Sequence, residues 1–141
     1  MPITINGSGT VTGITAGGLP DGVITTDDIA ANAVTYAKIG TTEQGQLCKA
    51  WVNFNGTSTV AIRASYNVSS ITDNGTGDYT VNFTSALADA NYSAVVAMQP
   101  TASNGGSDTF PINPSTSSVT VKHYEVNILR DSNYVNVAVF R

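Results

Sequence analysis

Alternation of apolar and polar residues between turn sequences is the feature that most constrains how this chain can fold. In residues 78–84 every second side chain is apolar, beginning with Tyr79. A period of two places one set of side chains on the buried face of a β-strand and the other set in water. Asn74-Gly75 lies just before this run, and an Asn-Gly turn beside an alternating run is a strong local signal of a β-hairpin.

The same pattern extends from Gln46 to the end of the chain. Residues 92–99 are apolar at both parities, which predicts a central strand with both faces covered. Further strands are predicted at residues 49–54, 61–71 with a bulge near Ala64, 119–129 and 134–140, the last two as a closing hairpin, with a minor edge strand near Phe110–Ile112 inside a 100–117 loop. The sequence therefore predicts an all-β fold, a compact antiparallel β-sandwich of jelly-roll or immunoglobulin type, over residues 46–141.

Residues 1–45 have a different pattern, because aliphatic residues recur in them every five positions. Such spacing fits neither a helix face nor a strand, so a single copy would leave these side chains in water. We predict an extended arm that anchors or oligomerises the protein, either in three chains wound about one axis or in a groove of a neighbouring protein. A disordered leader and a short helix over residues 28–38 are the alternatives. The predicted contact residues are Ile14, Leu19, Ile24, Ile29, Val34 and Ile39.

The small number and the sign of the charged residues limit which classes of partner are expected. Only 11% of the residues are charged, and the chain has six Lys and Arg residues against ten Asp and Glu, a net charge of −4. Nucleic acids and anionic membranes select for clustered basic residues, so neither is an expected partner. The sequence contains no apolar run of 18 residues and does not begin like a secretory signal, which predicts a chain made in the cytoplasm.

Candidate catalytic and metal-binding residues are few. His123 and Cys48 are the single histidine and cysteine, so neither a histidine pair for zinc nor a cysteine cluster is possible. We expect a structural or surface role for His123, and a turn rather than a calcium loop at residues 73–78, because the EF-hand spacing is absent. The prediction is a protein that is not an enzyme and has no cofactor or metal; a hydrolase with two carboxylates is the weaker alternative.

Six aromatic residues could line a sugar-binding face, since aromatic rings stack on sugars. Their positions on predicted strands favour packing in the core or between subunits, so a glycan is expected, if anywhere, in the 100–117 loop. These aromatic residues are Trp51, Tyr66, Tyr79, Tyr92, Tyr124 and Tyr134.

The segments KAWVNFNGTSTVAIRASYNVSSITDNGTGDYTVNF (49–83) and ALADANYSAVVAM (86–98) resemble small β-sandwich domains of fibre and virion proteins of tailed phages, particularly cyanophages. The arm sequence GVITTDDIAANAVTYAKIG (22–40) is similar to ten-residue repeats of trimeric phage fibres. The resemblance implies a virion component, made in the host cytoplasm and assembled on the particle exterior.

The resemblance leaves the place on the particle open. Because an arm of about 40 residues reaches at most about 130 Å, which suits binding across neighbouring subunits better than spanning a fibre, we predict a homotrimeric capsid decoration or cement protein bound to the major capsid protein. The alternative is a tail-fibre or receptor-binding protein that contacts tail proteins and a host-surface glycan.

Overall fold

The computed structural model describes Asp27, residues 29–100 and residues 106–141. The chain divides into two units, Met1–Ile39 and Gly40–Arg141, whereas the sequence predicts a boundary between residues 45 and 46, which stays a prediction. In the described part of the first unit, the regular element is a 3-10 helix at Tyr36–Lys38. The described part of the second unit contains α1 (Thr41–Gln46), β1 (Cys48–Asn55), β2 (Ala61–Tyr66), β3 (Val68–Gly75), β4 (Asp78–Phe83), β5 (Ser93–Met98), β6 (Ser107–Ile112), β7 (Ser118–Glu125), β8 (Ile128–Leu129) and β9 (Val135–Phe140).

The strands form two antiparallel sheets. Sheet A has the order β2-β1-β9-β5, and sheet B has the order β3-β4-β7-β6, with the short β8 paired to β7. The predicted all-β sandwich is therefore confirmed. The predicted extended conformation of the arm concerns mainly residues outside the described part of the chain.

Alternating side chains of the two sheets form the core between them. The inward residues of the two central strands of sheet A and of β4 and β7 of sheet B are almost completely buried, as the period of two requires. Phe54 of β1 contacts Tyr79 of β4 edge to face, with ring centroids 5.3 Å apart, a geometry that aromatic quadrupoles favour. The aliphatic members of the core include Val52, Val81, Val119, Val121, Val135, Val137 and Val139.

The predicted strand over residues 61–71 is instead two strands. Asn67 adopts a positive φ of 55°, which turns the chain from β2 in sheet A to β3 in sheet B. Its side chain donates to the carbonyl oxygen of Lys49 at 3.1 Å, so an asparagine that tolerates this conformation also ties the corner to β1. The register shift between β1 and β2 leaves Arg63 as the extra residue of a bulge. The sequence predicts this bulge near Ala64, one position away.

The predicted closing hairpin of residues 119–140 is also wrong. Val126 and Asn127 have positive φ values of 49° and 62°, the conformation of a type I′ turn, so β7 forms its hairpin with the two-residue β8. The chain then crosses to sheet A, where β9 pairs with β1 and β5. The crossing segment is held by Ser132, which is fully buried and whose carbonyl oxygen accepts from the Gly56 N–H at 2.9 Å.

Two further expectations are corrected. The sequence predicts a central strand at residues 92–99, but β5 is an edge strand of sheet A. In residues 29–38, the alternative of a continuous helix is also wrong, because Asn32 has a φ of 65° and only Tyr36–Lys38 is helical. A residue with positive φ interrupts the helical hydrogen bonds.

Candidate interaction surface

The outer face of sheet A carries an apolar row that crosses all four strands. Tyr66 pairs with Trp51, Trp51 with Ala138, and Ala138 with Val95. Directly opposed residues of antiparallel strands project to the same face. The exposed fractions are 59% for Tyr66, 40% for Trp51 and 56% for Val95. We call these four residues the apolar row.

A second row lies directly beside the first and is partly polar. Asn53 pairs with Ala64 on one side and with Asn136 on the other, and Asn136 pairs with Ala97. The Asn53 Nδ2 donates to Asn136 Oδ1 at 2.7 Å. We call these four residues the amide row, because two bonded amides lie at its centre.

A shallow depression lies over the small side chain of Ala138. Its volume is about 240 Å³, and its wall is almost entirely apolar. Trp51 forms one side, and Val95 with Ala97 forms the other. Apolar depressions bounded by an aromatic ring are suited to receive an apolar side chain of another molecule.

Neither row contains a charged residue. Beyond the rows, at the bulge of β2, the Arg63 guanidinium lies 4.3 Å from the centre of the Tyr134 ring. Arg63 also donates to Asn133 Oδ1 at 2.8 Å. The centre of the face is therefore neutral.

The outer face of sheet B differs, because its polar groups bond to one another. The hydroxyl oxygens of Thr80 and Thr120 lie 3.1 Å apart and share a hydrogen bond. Lys122 forms an ion pair with Asp78 at 2.9 Å, and this hydrogen bond raises the pKa of Lys122.

The outer face of sheet B also has apolar residues toward β6. There Phe110, which is 39% exposed, already stacks on Tyr124 with ring centroids 5.6 Å apart. We regard the outer face of sheet A as the candidate interaction surface, because its exposed apolar row borders an apolar depression.

His123 lies in the interior of sheet B and is fully buried. Its Nδ1 lies 3.0 Å from the Arg130 carbonyl oxygen, which can only accept, so Nδ1 carries the proton. Nε2 lies 3.0 Å from the Ser107 hydroxyl and 3.7 Å from Glu125 Oε1. These contacts connect β6, β7 and the segment after β8, which agrees with a structural role for this histidine.

The predicted turn at residues 73–78 is shorter in the structure, where Thr76-Gly77 connects β3 to β4. Hydrogen bonds between neighbouring residues hold the adjoining strand ends. The Gly75 N–H donates to Asp73 Oδ1 at 2.9 Å, and the Asn74 amide donates to Asp78 Oδ1 at 3.1 Å. Across Asp27, 29–100 and 106–141, no three His, Cys, Asp or Glu side chains are placed to hold a metal ion. In the same ranges no helix has the length and hydropathy needed to cross a membrane.

The predicted arm contacts are only partly within the described residues. Ile14, Leu19 and Ile24 lie outside them. Ile29 and Val34 are 44% and 60% exposed, and Ile39 is half-buried. The role of all six residues in assembly stays a prediction.

The six aromatic residues have different environments. Tyr79 is buried, Tyr92 and Tyr124 are half-buried, and Trp51, Tyr66 and Tyr134 are exposed. Sequence reasoning missed the apolar row, although residues 92–99 carried a signal: apolar residues at both parities on an edge strand leave one apolar side uncovered.

Comparison of the chain with protein-family models, curated proteins and solved structures finds no match. The resemblance to phage virion domains therefore stays a prediction.

Proposed function

We propose that this chain is a non-enzymatic structural protein of a phage virion. In this proposal it is a trimeric capsid decoration or cement protein that anchors through its N-terminal arm and displays the β-sandwich. Its partners are its own copies and the major capsid protein.

The exposure of the arm aliphatics carries the proposal. Ile29 and Val34 lie five residues apart, and each exposes about half of its side chain. Burying a side chain of this size contributes about 1.5 to 3 kcal/mol. A neighbouring molecule that covers the repeated aliphatics would therefore gain free energy at each of them.

A tail-fibre or receptor-binding protein is the second candidate, and the exposed rings of Trp51 and Tyr66 favour it. The two residues are cross-strand neighbours, and adjacent exposed rings can stack on a sugar. In this candidate the partners are tail proteins and a host-surface glycan.

Ile29→Asp is expected to weaken self-association of the free protein by at least about tenfold, because a carboxylate would have to lose water in a contact built for an aliphatic side chain. Sedimentation velocity over a range of concentrations measures the effect. The exposed Ala30 provides the control: Ala30→Asp introduces the same charge next to the repeat and should leave association unchanged. Equal behaviour of the two variants would contradict the proposed role of the repeat.

Limited proteolysis of the wild-type chain distinguishes the two virion roles. Cement protein on purified, emptied heads should resist cleavage between residues 10 and 45 only when bound, and its removal should weaken the heads. A fibre protein should be protected already in the free oligomer and be missing from tailless heads. Absence of the chain from both heads and tails would overturn the proposed function.

A further inference from the structure

We propose that the outer face of sheet A binds the same face of a second copy of this chain. The two copies would be related by a twofold axis that is parallel to the strands and lies between β1 and β9. This inference does not rest on a role in a virion, since it uses only the two rows of the described β-sandwich.

The apolar row is complementary to itself about this axis. A rotation of 180° places β1 opposite the partner's β9, and β2 opposite the partner's β5, at the same level along the strands. Trp51 then faces the partner's Ala138, and Tyr66 faces the partner's Val95. Each indole meets the depression of about 240 Å³ over the small alanine, so both copies place a large side chain against a small one, as an isologous interface requires.

The amide row is complementary about the same axis. Within one copy, Asn53 donates to Asn136 Oδ1 at 2.7 Å, which leaves Asn53 Oδ1 to accept and Asn136 Nδ2 to donate a further bond. The rotation places Asn53 opposite the partner's Asn136, so the free acceptor of each copy meets the free donor of the other. The polar groups at the centre of the interface are thereby satisfied.

Charge and size set the strength of this contact. No charged residue lies in either row, so no like charges oppose each other across the axis. Four strands about 4.8 Å apart form a narrow face, and it is smaller than one side of a standard protein interface of about 800 Å² per partner. We therefore expect a dissociation constant in the micromolar range or weaker, which attachment of many copies to one assembly would make effective.

A second copy fits this face better than a polysaccharide does. The depression is lined mainly by the aliphatic side chains of Val95, Ala97 and Ala138 beside the indole of Trp51, with the Asn136 amide as its polar group. A sugar has several hydroxyls, and those buried against the aliphatic groups would lose water without gaining a hydrogen bond, whereas an indole loses little. Polysaccharide binding is thus a separate outcome of the test.

The test uses the full chain carrying Ile29→Asp, so that association through the arm does not mask this contact, and compares this reference with Trp51→Ala, Ala138→Trp, and an equimolar mixture of the two variants. Trp51→Ala leaves two cavities across the axis, and Ala138→Trp sets two indoles against each other, so each variant alone should associate at least tenfold more weakly. In the mixture each large side chain of one variant faces an alanine of the other. The mixture should therefore recover an affinity within about threefold of the reference.

Sedimentation velocity of fluorescently labelled chains measures the association, and circular dichroism with thermal unfolding verifies the fold. Recovery in the mixture also shows that both variants are folded. Unchanged association of Trp51→Ala, or no recovery in the mixture, would overturn the proposal. The proposal would also be overturned if the reference did not associate at millimolar concentration. Competition of a neutral polysaccharide with the association, through binding at Trp51, would overturn it as well. Ile29→Asp should leave this contact intact, so failure of the arm proposal and failure of this one are distinguishable.

Discussion

Gly77→Ala is expected to lower the free energy of unfolding by about 2 to 5 kcal/mol, the largest effect of any substitution considered for this protein. Gly77 has a φ of +64°, and an added Cβ would lie 2.7 Å from both the N and O atoms of Arg130 and 2.8 Å from the His123 carbonyl oxygen. All three atoms belong to the backbone. The clash can therefore be relieved only by a shift of the backbone.

Gly77 also connects the β3–β4 hairpin to β7 and to the segment that crosses from sheet B to sheet A. Its N–H donates to Asp131 Oδ1 at 2.8 Å, and its carbonyl oxygen accepts from the His123 N–H at 3.0 Å. A shift that relieves the clash would lengthen these bonds as well, and the free-energy change should therefore lie toward the upper end of the expected range.

Urea unfolding of the full chain, followed by tryptophan fluorescence, measures this difference. Gly106→Ala is the matched control, because no atom lies within 4 Å of its added Cβ, and it should change stability by less than about 1 kcal/mol. Similar unfolding midpoints for the two variants would contradict the steric account of Gly77.

Tyr79→Phe is expected to cost about 1 to 3 kcal/mol at neutral pH. The Tyr79 hydroxyl lies 2.7 Å from the Gly56 carbonyl oxygen and 2.8 Å from Asp131 Oδ1, and donates its proton between them. Phenylalanine keeps the edge-to-face contact with Phe54 but leaves both acceptors without this donor. The loss concerns buried hydrogen bonds rather than packing.

The free energies of unfolding of the wild type and of Tyr79→Phe should depend differently on pH. Burial, and then the hydrogen bond to Asp131, raise the pKa of Tyr79 above its usual value. The hydroxyl therefore stabilises the fold fully below about pH 10, the pKa of an unfolded tyrosine, and this contribution is lost as the pH rises further. Above pH 10 the wild type should lose about 1.4 kcal/mol more per pH unit than Tyr79→Phe.

Chemical unfolding at several pH values between 7 and 11.5 measures this slope. Tyr66→Phe is the matched control, because its hydroxyl is exposed on the outer face of sheet A, and its profile should follow that of the wild type. Parallel profiles for the wild type and Tyr79→Phe would contradict the proposed contribution of the buried hydroxyl.

The strand predictions succeeded where a local pattern decided the structure. The alternation around Tyr79 placed the hairpin of β3 and β4 correctly, because hairpin register depends on neighbouring residues. The predicted turn is displaced, since Asn74 and Gly75 end β3 and Thr76-Gly77 connects the two strands. The predictions failed at Asn67 and Val126, whose positive φ values redirect the chain. For Asn67, its bonds to two distant carbonyls stabilise this conformation, and no local sequence pattern contains those partners.

The candidate surface was harder to predict than the fold. The exposed residues Trp51 and Val95 lie 44 positions apart in the sequence, and they become members of one row only because β9 pairs with both β1 and β5. The arm repeat, by contrast, is visible as a spacing in the sequence alone.

The sequence by itself determined that this protein is an all-β sandwich with few charged residues and a repeat of aliphatic residues toward its N-terminus. Those properties follow from composition and from short-range periodicity. Only the tertiary structure decided which strands share a sheet, that β5 is an edge strand, and that the apolar and amide rows lie on one face. Strand order depends on pairings between distant segments, and these pairings are selected by the packing of the whole core rather than by any local pattern.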